Sequence, residues 1–144
     1  MKSIEYKETR IKNYALWVVQ WLLALLFLWA GGVKLVLPLE MLKGPVALPG
    51  LFVRFIGVAE TLGAIGLILP WLLRIRPALT PLAAAGLVII MIGATVITLI
   101  GGGGAFALFP AAVGILAASV AYGRRQSASY RKNRRTFSKK SITR

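Results

Sequence analysis

Four long apolar runs alternate with short polar or helix-breaking stretches along this chain. The first begins at Tyr14 and reads YALWVVQWLLALLFLWAGGVKLVL, with only Gln20 interrupting it before Lys34. The second covers about 51–73, the third about 78–100 and the fourth about 105–122. Each is long enough for a helix to cross a bilayer core, which takes roughly 20 residues. The expected fold is therefore all-α, a polytopic membrane protein with a four-transmembrane-helix bundle. The stretch between the first two runs, PLEMLKGPVALPG, holds three prolines and two glycines and cannot continue a helix. It is expected to lie in the interface or to fold back as a short segment. Arg74, Arg76 and Pro77 form a basic turn after the second run, and the glycines of 101–104 end the third. Pro81 stands where the first helical turn has no donor to lose.

Composition agrees with this pattern. Of 144 residues, 58% are hydrophobic, and the mean hydropathy is +0.76. A soluble domain of this size could not hide so much apolar surface. The first run is too long for a signal-peptide core, and Trp29-Ala30-Gly31-Gly32 makes a poor cleavage site. It reads as a retained span.

Charge then sets the expected orientation. The net charge is +14, and nine of the eighteen basic residues fall within 124–144. Four more precede the first run, and two lie in the turn after the second. The positive-inside rule places these three regions in the cytoplasm, so both termini are expected there, in a cell (inner) membrane. Residues 1–13 form a cytoplasmic N-terminal segment. Residues 123–144 hold no acid and few large apolar groups, and are expected to be a basic disordered cytoplasmic tail. That tail is expected to rest on anionic lipid, each basic residue contributing about 1 kcal/mol at best. It could also meet a protein partner. Nucleic acid is not expected, since Tyr130 and Phe137 are its only aromatics.

The residue inventory excludes much chemistry within the chain. There is no Cys and no His, so thiol catalysis, usual zinc sites and haem ligation by His are ruled out. The four acids are Glu5, Glu8, Glu40 and Glu60. Paired-carboxylate catalysis and oxygen-ligand metal cages have almost nothing to work with. No catalytic residue, metal or cofactor is expected. The 101–104 glycines lack a following Lys-Ser or Lys-Thr, so a Walker reading fails.

Glu60 is the one acid inside an apolar run. A carboxylate at bilayer depth costs several kcal/mol unless it faces protein, water or a partner charge. Counting depth at 1.5 Å per residue puts Lys34 at the outer surface and Glu60 roughly 13 Å below it. Arg54 shares that outer half. Lys34 or Arg54 could pair with Glu60, and Lys34 is the better placed, because Arg54 is six residues away on the same helix. Both cations could instead snorkel at the span edges. Glu60 is either a structural hydrogen-bonding residue or part of a ligand, proton or partner site. Thr61 and Thr98 complete the candidate intramembrane polar set, together with Glu60, Lys34 and Arg54. The glycines and alanines near Glu60 and along the third run read as helix-packing positions.

Three stretches together resemble the DoxX-like family of four-helix membrane proteins of DoxX/DoxD type. They are FLWAGGVKLVLP (27–38), GVAETLGAIGLILP (57–70) and RPALTPLAAAGLVIIMIGA (76–94). Their order and spacing match over about 27–125. The resemblance implies a four-helix inner-membrane protein, with Lys34 and Glu60 on the family's polar signature. Some relatives are associated with thiosulfate:quinone oxidoreductase or oxidative-stress complexes, and others have no assigned activity. Many relatives carry a His shortly after the Met-x-x-Ala of helix three. Here Met91 and Ala94 are followed by Thr98 at that place. The reading that follows is an accessory or docking subunit of a membrane-associated, redox- or quinone-linked system. The alternative is a binding protein or carrier for a quinone- or lipid-like ligand, using Glu60 inside the bundle. A subunit acting directly in quinone reduction would need a cofactor or another chain.

Overall fold

The computed structural model describes residues 2–44, 46–73 and 78–142, without the side chains of residues 2–6, 9 and 127–142. Helix α1 spans Lys2–Val36, α2 Gly50–Leu72, α3 Leu79–Ile100 and α4 Leu108–Ile142. Two short 3-10 turns, Leu39–Leu42 and Gly104–Ala107, occupy the links after α1 and α3. Arg74, Arg76 and Pro77, expected to form a basic turn, lie outside the described residues. Among the described residues, four helices are long and apolar enough to cross a membrane: Arg10–Val36, Gly50–Leu72, Leu79–Ile100 and Gly104–Gln126.

The helices form an up-down bundle in chain order. Helix α1 packs on α2, α2 on α3 and α3 on α4, and α4 closes on α1 less extensively. The contacts run in opposite senses, as antiparallel neighbours require. Gly31 meets Gly57 and Thr61, whereas Gln20 meets Leu67. Gly63 lies against Leu87, and Gly66 against Ala83. The two 3-10 turns thus share one end of the bundle, the loop end. The start of α1 and the point where α4 leaves the bundle share the other, the termini end.

Each span buries one stripe. In α1 it is Gln20, Leu23, Ala24 and Phe27; in α2, Glu60, Ala64 and Leu67; in α3, Thr80, Ala84, Leu87 and Met91; in α4, Val113, Ala117 and Val120. The three-and-four spacing is that of one helix face. The opposite faces leave Leu22, Leu25, Leu62, Ile65, Ile89, Ile92 and Ile115 exposed. An apolar surface of that extent belongs in hydrocarbon, and the protein is an integral membrane bundle.

Both end helices run on beyond their apolar spans. Helix α1 begins at Lys2, so the polar first residues extend the span helix. That segment holds no glycine or proline, and Glu8 and Lys12 form an i,i+4 ion pair at 3.8 Å. Residues 123–144 were expected to be disordered, yet α4 continues to Ile142. No glycine or proline follows Gly123 to stop it, and cations near a helix C-terminus oppose the macrodipole.

The glycine run after α3 is a helix cap. Gly102 has φ +75°, Gly103 N–H donates to Thr98 O at 2.8 Å, and Gly102 N–H donates to Leu99 O at 3.1 Å. These are the two bonds of a Schellman motif. Gly102→Ala is expected to destabilise the bundle by about 1 kcal/mol, because an L side chain strains that conformation. Equilibrium unfolding in mild detergent measures it, and a neutral result would show that the cap relaxes freely.

Candidate functional site

The buried carboxylate is seated by glycines. Glu60 is 2% exposed and lies on the face of α2 turned to α1. One turn earlier on that face, Gly57 has no side chain, and a Cβ there would stand 2.9 Å from Lys34 Cβ. Gly31 on α1 is equally tight against Gly57 O and Thr61. Small residues let two helix backbones approach closely. The approach brings the last turn of α1 over the middle of α2, and Lys34 Nζ donates to Glu60 Oε2 at 2.8 Å. The Lys34 side chain stays 29% exposed, so its ammonium enters from the loop end along a partly covered stem.

Arg54 serves the same junction without touching Glu60. Its guanidinium donates to Lys34 O and, at 2.9 Å, to Leu37 O. Those carbonyls lie at the end of α1, where no further helical turn supplies donors. Arg54 therefore holds the backbone of Lys34 while Glu60 holds its side chain. Arg54→Ala is expected to cost about 1–2 kcal/mol, since hydrogen bonds from a charged donor are worth more than neutral ones. Unfolding in detergent measures the loss, and amide exchange locates it. Fast exchange confined to 30–37 is the expected pattern; unaltered exchange there would remove Arg54 from this role.

Thr61 belongs to the same cluster. Its Oγ1 donates to Gly57 O at 2.8 Å and fills the space opposite Gly31. Thr98 stands apart: its hydroxyl donates to Ala94 O at 2.8 Å. With Leu87 against Gly63 and Ala83 against Gly66, Glu60 is level with about Met91, so Thr98 lies about two turns beyond it. The structure thus brings together Lys34, Arg54, Glu60 and Thr61. Among the described residues, no group of three or more potential metal-ligating side chains occurs.

A second polar cluster, at the termini end, escaped the sequence reading. Gln20 is 1% exposed; its amide donates to Leu67 O, and its carbonyl accepts from Arg124 Nε at 2.9 Å. Arg124 also stacks on Trp17, 4.8 Å from the ring centroid. Trp17 meets Trp71 edge to face with centroids 4.3 Å apart. Helices α1, α2 and α4 are joined there. The available signal was Gln20, the only polar residue in the first apolar run before Lys34. Its partner lay among tail arginines with nothing to single it out.

Neither curated proteins nor solved structures provide a match to this chain. The family model of the DoxX-like family matches residues 18–120, a stretch that contains all four apolar spans' buried stripes and the whole Lys34–Glu60 junction. By that match, the chain belongs to the DoxX-like family.

Proposed function

We propose that this DoxX-like protein is an accessory subunit without catalytic residues of its own, docking a partner of a redox- or quinone-linked membrane system. The observation that carries the reading is how the polar groups of the spans are used. Glu60 is bound to Lys34 and Arg54 to the end of α1, while Thr61, Thr95 and Thr98 bond back to their own helix. A catalytic group must have a free face toward the reacting atoms, and these side chains are committed within the bundle. What the bundle offers outward is aliphatic and aromatic surface, the kind another membrane helix can cover. The reading of Glu60 as a quinone- or lipid-binding residue has its 2% exposure against it.

The orientation proposed with it puts the termini end in the cytoplasm of the inner membrane, where residues 124–144 lie against anionic lipid. The test compares the purified full chain in nanodiscs with the assembly that copurifies with it from native membranes. The assembly is expected to reduce a soluble quinone analogue, and the isolated chain to be inert. Quinone reduction by the isolated chain would overturn the accessory role; an inert assembly would overturn the redox link. Protease reaching residues 124–144 only from the periplasmic side would overturn the orientation.

A further inference from the structure

We propose that Arg124 is a binding site for a phosphate-type oxyanion at the termini end of the bundle. Among the described residues, no carboxylate pairs with the Arg124 guanidinium. The two ion pairs among the described residues take Glu8 with Lys12 and Glu60 with Lys34, and Glu40 lies at the opposite end, in the first 3-10 turn. Its Nε is committed to Gln20 Oε1, and its Nη2 is buried without a hydrogen-bond partner. The stack on Trp17 offsets part of the desolvation. It does not neutralise the charge, and the chain supplies no described carboxylate that does.

Position points to the class of anion. Trp17 and Trp71 are enriched-type interface residues, and their edge-to-face pair beside Arg124 marks the level where indoles meet headgroups. Arg124 as a whole is only partly buried although Nη2 itself is covered, so an anion arriving from the membrane surface takes Nη2 only as the groups covering it shift. Exposed Arg125 adds positive potential at this end. A planar guanidinium recognises phosphate oxygens in a fixed geometry that an ammonium does not reproduce. Gln20 fixes the tilt of the guanidinium by holding Nε, and Gln20 is itself held by Leu67 O. This is a discrete site built by three helices, separate from any diffuse attraction of the basic segment beyond it. The phosphate could belong to an anionic lipid headgroup or be free.

The full-length protein is reconstituted in phosphatidylcholine nanodiscs, with phosphatidylglycerol or with inorganic phosphate. Lipid retained on the released protein is read by native mass spectrometry, and thermal stability by circular dichroism. Wild type is expected to retain phosphatidylglycerol, and Arg124→Gln to retain about tenfold less, the scale of one charge-assisted hydrogen bond. A full-length variant carrying Arg131→Gln, Lys132→Gln, Arg134→Gln and Arg135→Gln loses part of the diffuse attraction of the basic segment, but is expected to keep the wild-type stabilisation over Arg124→Lys, because the Arg124 site is intact. Arg124→Lys keeps the charge without the fork and is expected to fall between; it decides the matter if Arg124→Gln does not fold. Stabilisation of wild type over Arg124→Lys by phosphatidylglycerol alone assigns the lipid as source. The same effect from inorganic phosphate assigns a free anion. Equal retention by wild type and both Arg124 variants, with no selective stabilisation from either probe, overturns the site.

Discussion

Lys34→Ala is expected to destabilise the bundle by about 3 kcal/mol, and the same substitution is expected to cost almost nothing once Glu60 is replaced by Leu. The asymmetry of burial sets these values. The Glu60 side chain is 3% exposed, and the Lys34 side chain is 29% exposed. Removing the cation leaves a carboxylate desolvated with its partner gone, and breaking a buried pair from one side costs roughly 3–5 kcal/mol. The low end of that range applies because Lys34 is partly exposed and its neutralising charge is already shared with the surroundings. Glu60→Gln is expected to cost less, about 1–2 kcal/mol. The amide can still accept from Lys34, and the lysine stem is long enough to carry its charge toward the headgroups at the loop end. In Lys34→Ala/Glu60→Leu no charge remains to be buried, so the double variant is expected to lose about as much as Glu60→Leu alone. Equilibrium unfolding of wild type, Lys34→Ala, Glu60→Leu and the double variant in the same lipid–detergent mixture gives the coupling energy. Single losses that simply add in the double variant would mean that the 2.8 Å contact contributes no coupling.

The parts legible in the sequence are those set by local pattern or by simple counting of length. Spans announce themselves because hydrocarbon demands about 20 apolar residues with satisfied backbone groups. Depth counting placed Lys34 and Glu60 in the same half of the bundle, and the structure pairs them. Arg54 was equally near in depth, yet its role depends on where α1 stops, and the proline-rich link left that end open. The donor–acceptor match of Arg54 with Lys34 O and Leu37 O therefore had no signature. The Gln20–Arg124 contact joins residues 104 positions apart, and no periodicity reaches that far. Thr98 stands in the candidate set as a hydroxyl of the third apolar run, and residue type alone says nothing about the register of α3 on α2. Helical continuation at both ends was hidden for a different reason. Charged segments without glycine or proline read as solvated, whereas a span helix already formed removes the cost of nucleating the next turn.

The glycines between α1 and α2 carry the second large effect. Gly31→Ala is expected to cost about 3 kcal/mol, and Gly32→Ala, one residue on, to stabilise by about 0.5–1 kcal/mol. A Cβ on Gly31 would lie 2.5 Å from Thr61 Oγ1, 2.8 Å from Gly57 O and 2.9 Å from Thr61 N. Two of those atoms are backbone and cannot swing aside. The third belongs to a hydroxyl bonded to Gly57 O, so rotating it away breaks that bond. The remaining relief is to move α1 off α2, which is the overpacking penalty of roughly 1–3 kcal/mol. It also lengthens the Lys34–Glu60 contact one turn away, which puts the expected loss at the top of that range. A Cβ on Gly32 meets nothing within 4 Å, so alanine there only gains helix propensity. The two substitutions add the same methyl group to adjacent residues of one helix, so hydrophobicity and expression level cannot separate them. Unfolding in the same mixture reads the difference, and Gly31→Ala combined with Glu60→Leu should cost less than the sum of the single changes. A neutral Gly31→Ala would mean that α1 and α2 can separate without loss, and that close backbone approach is not what holds the buried carboxylate against its lysine.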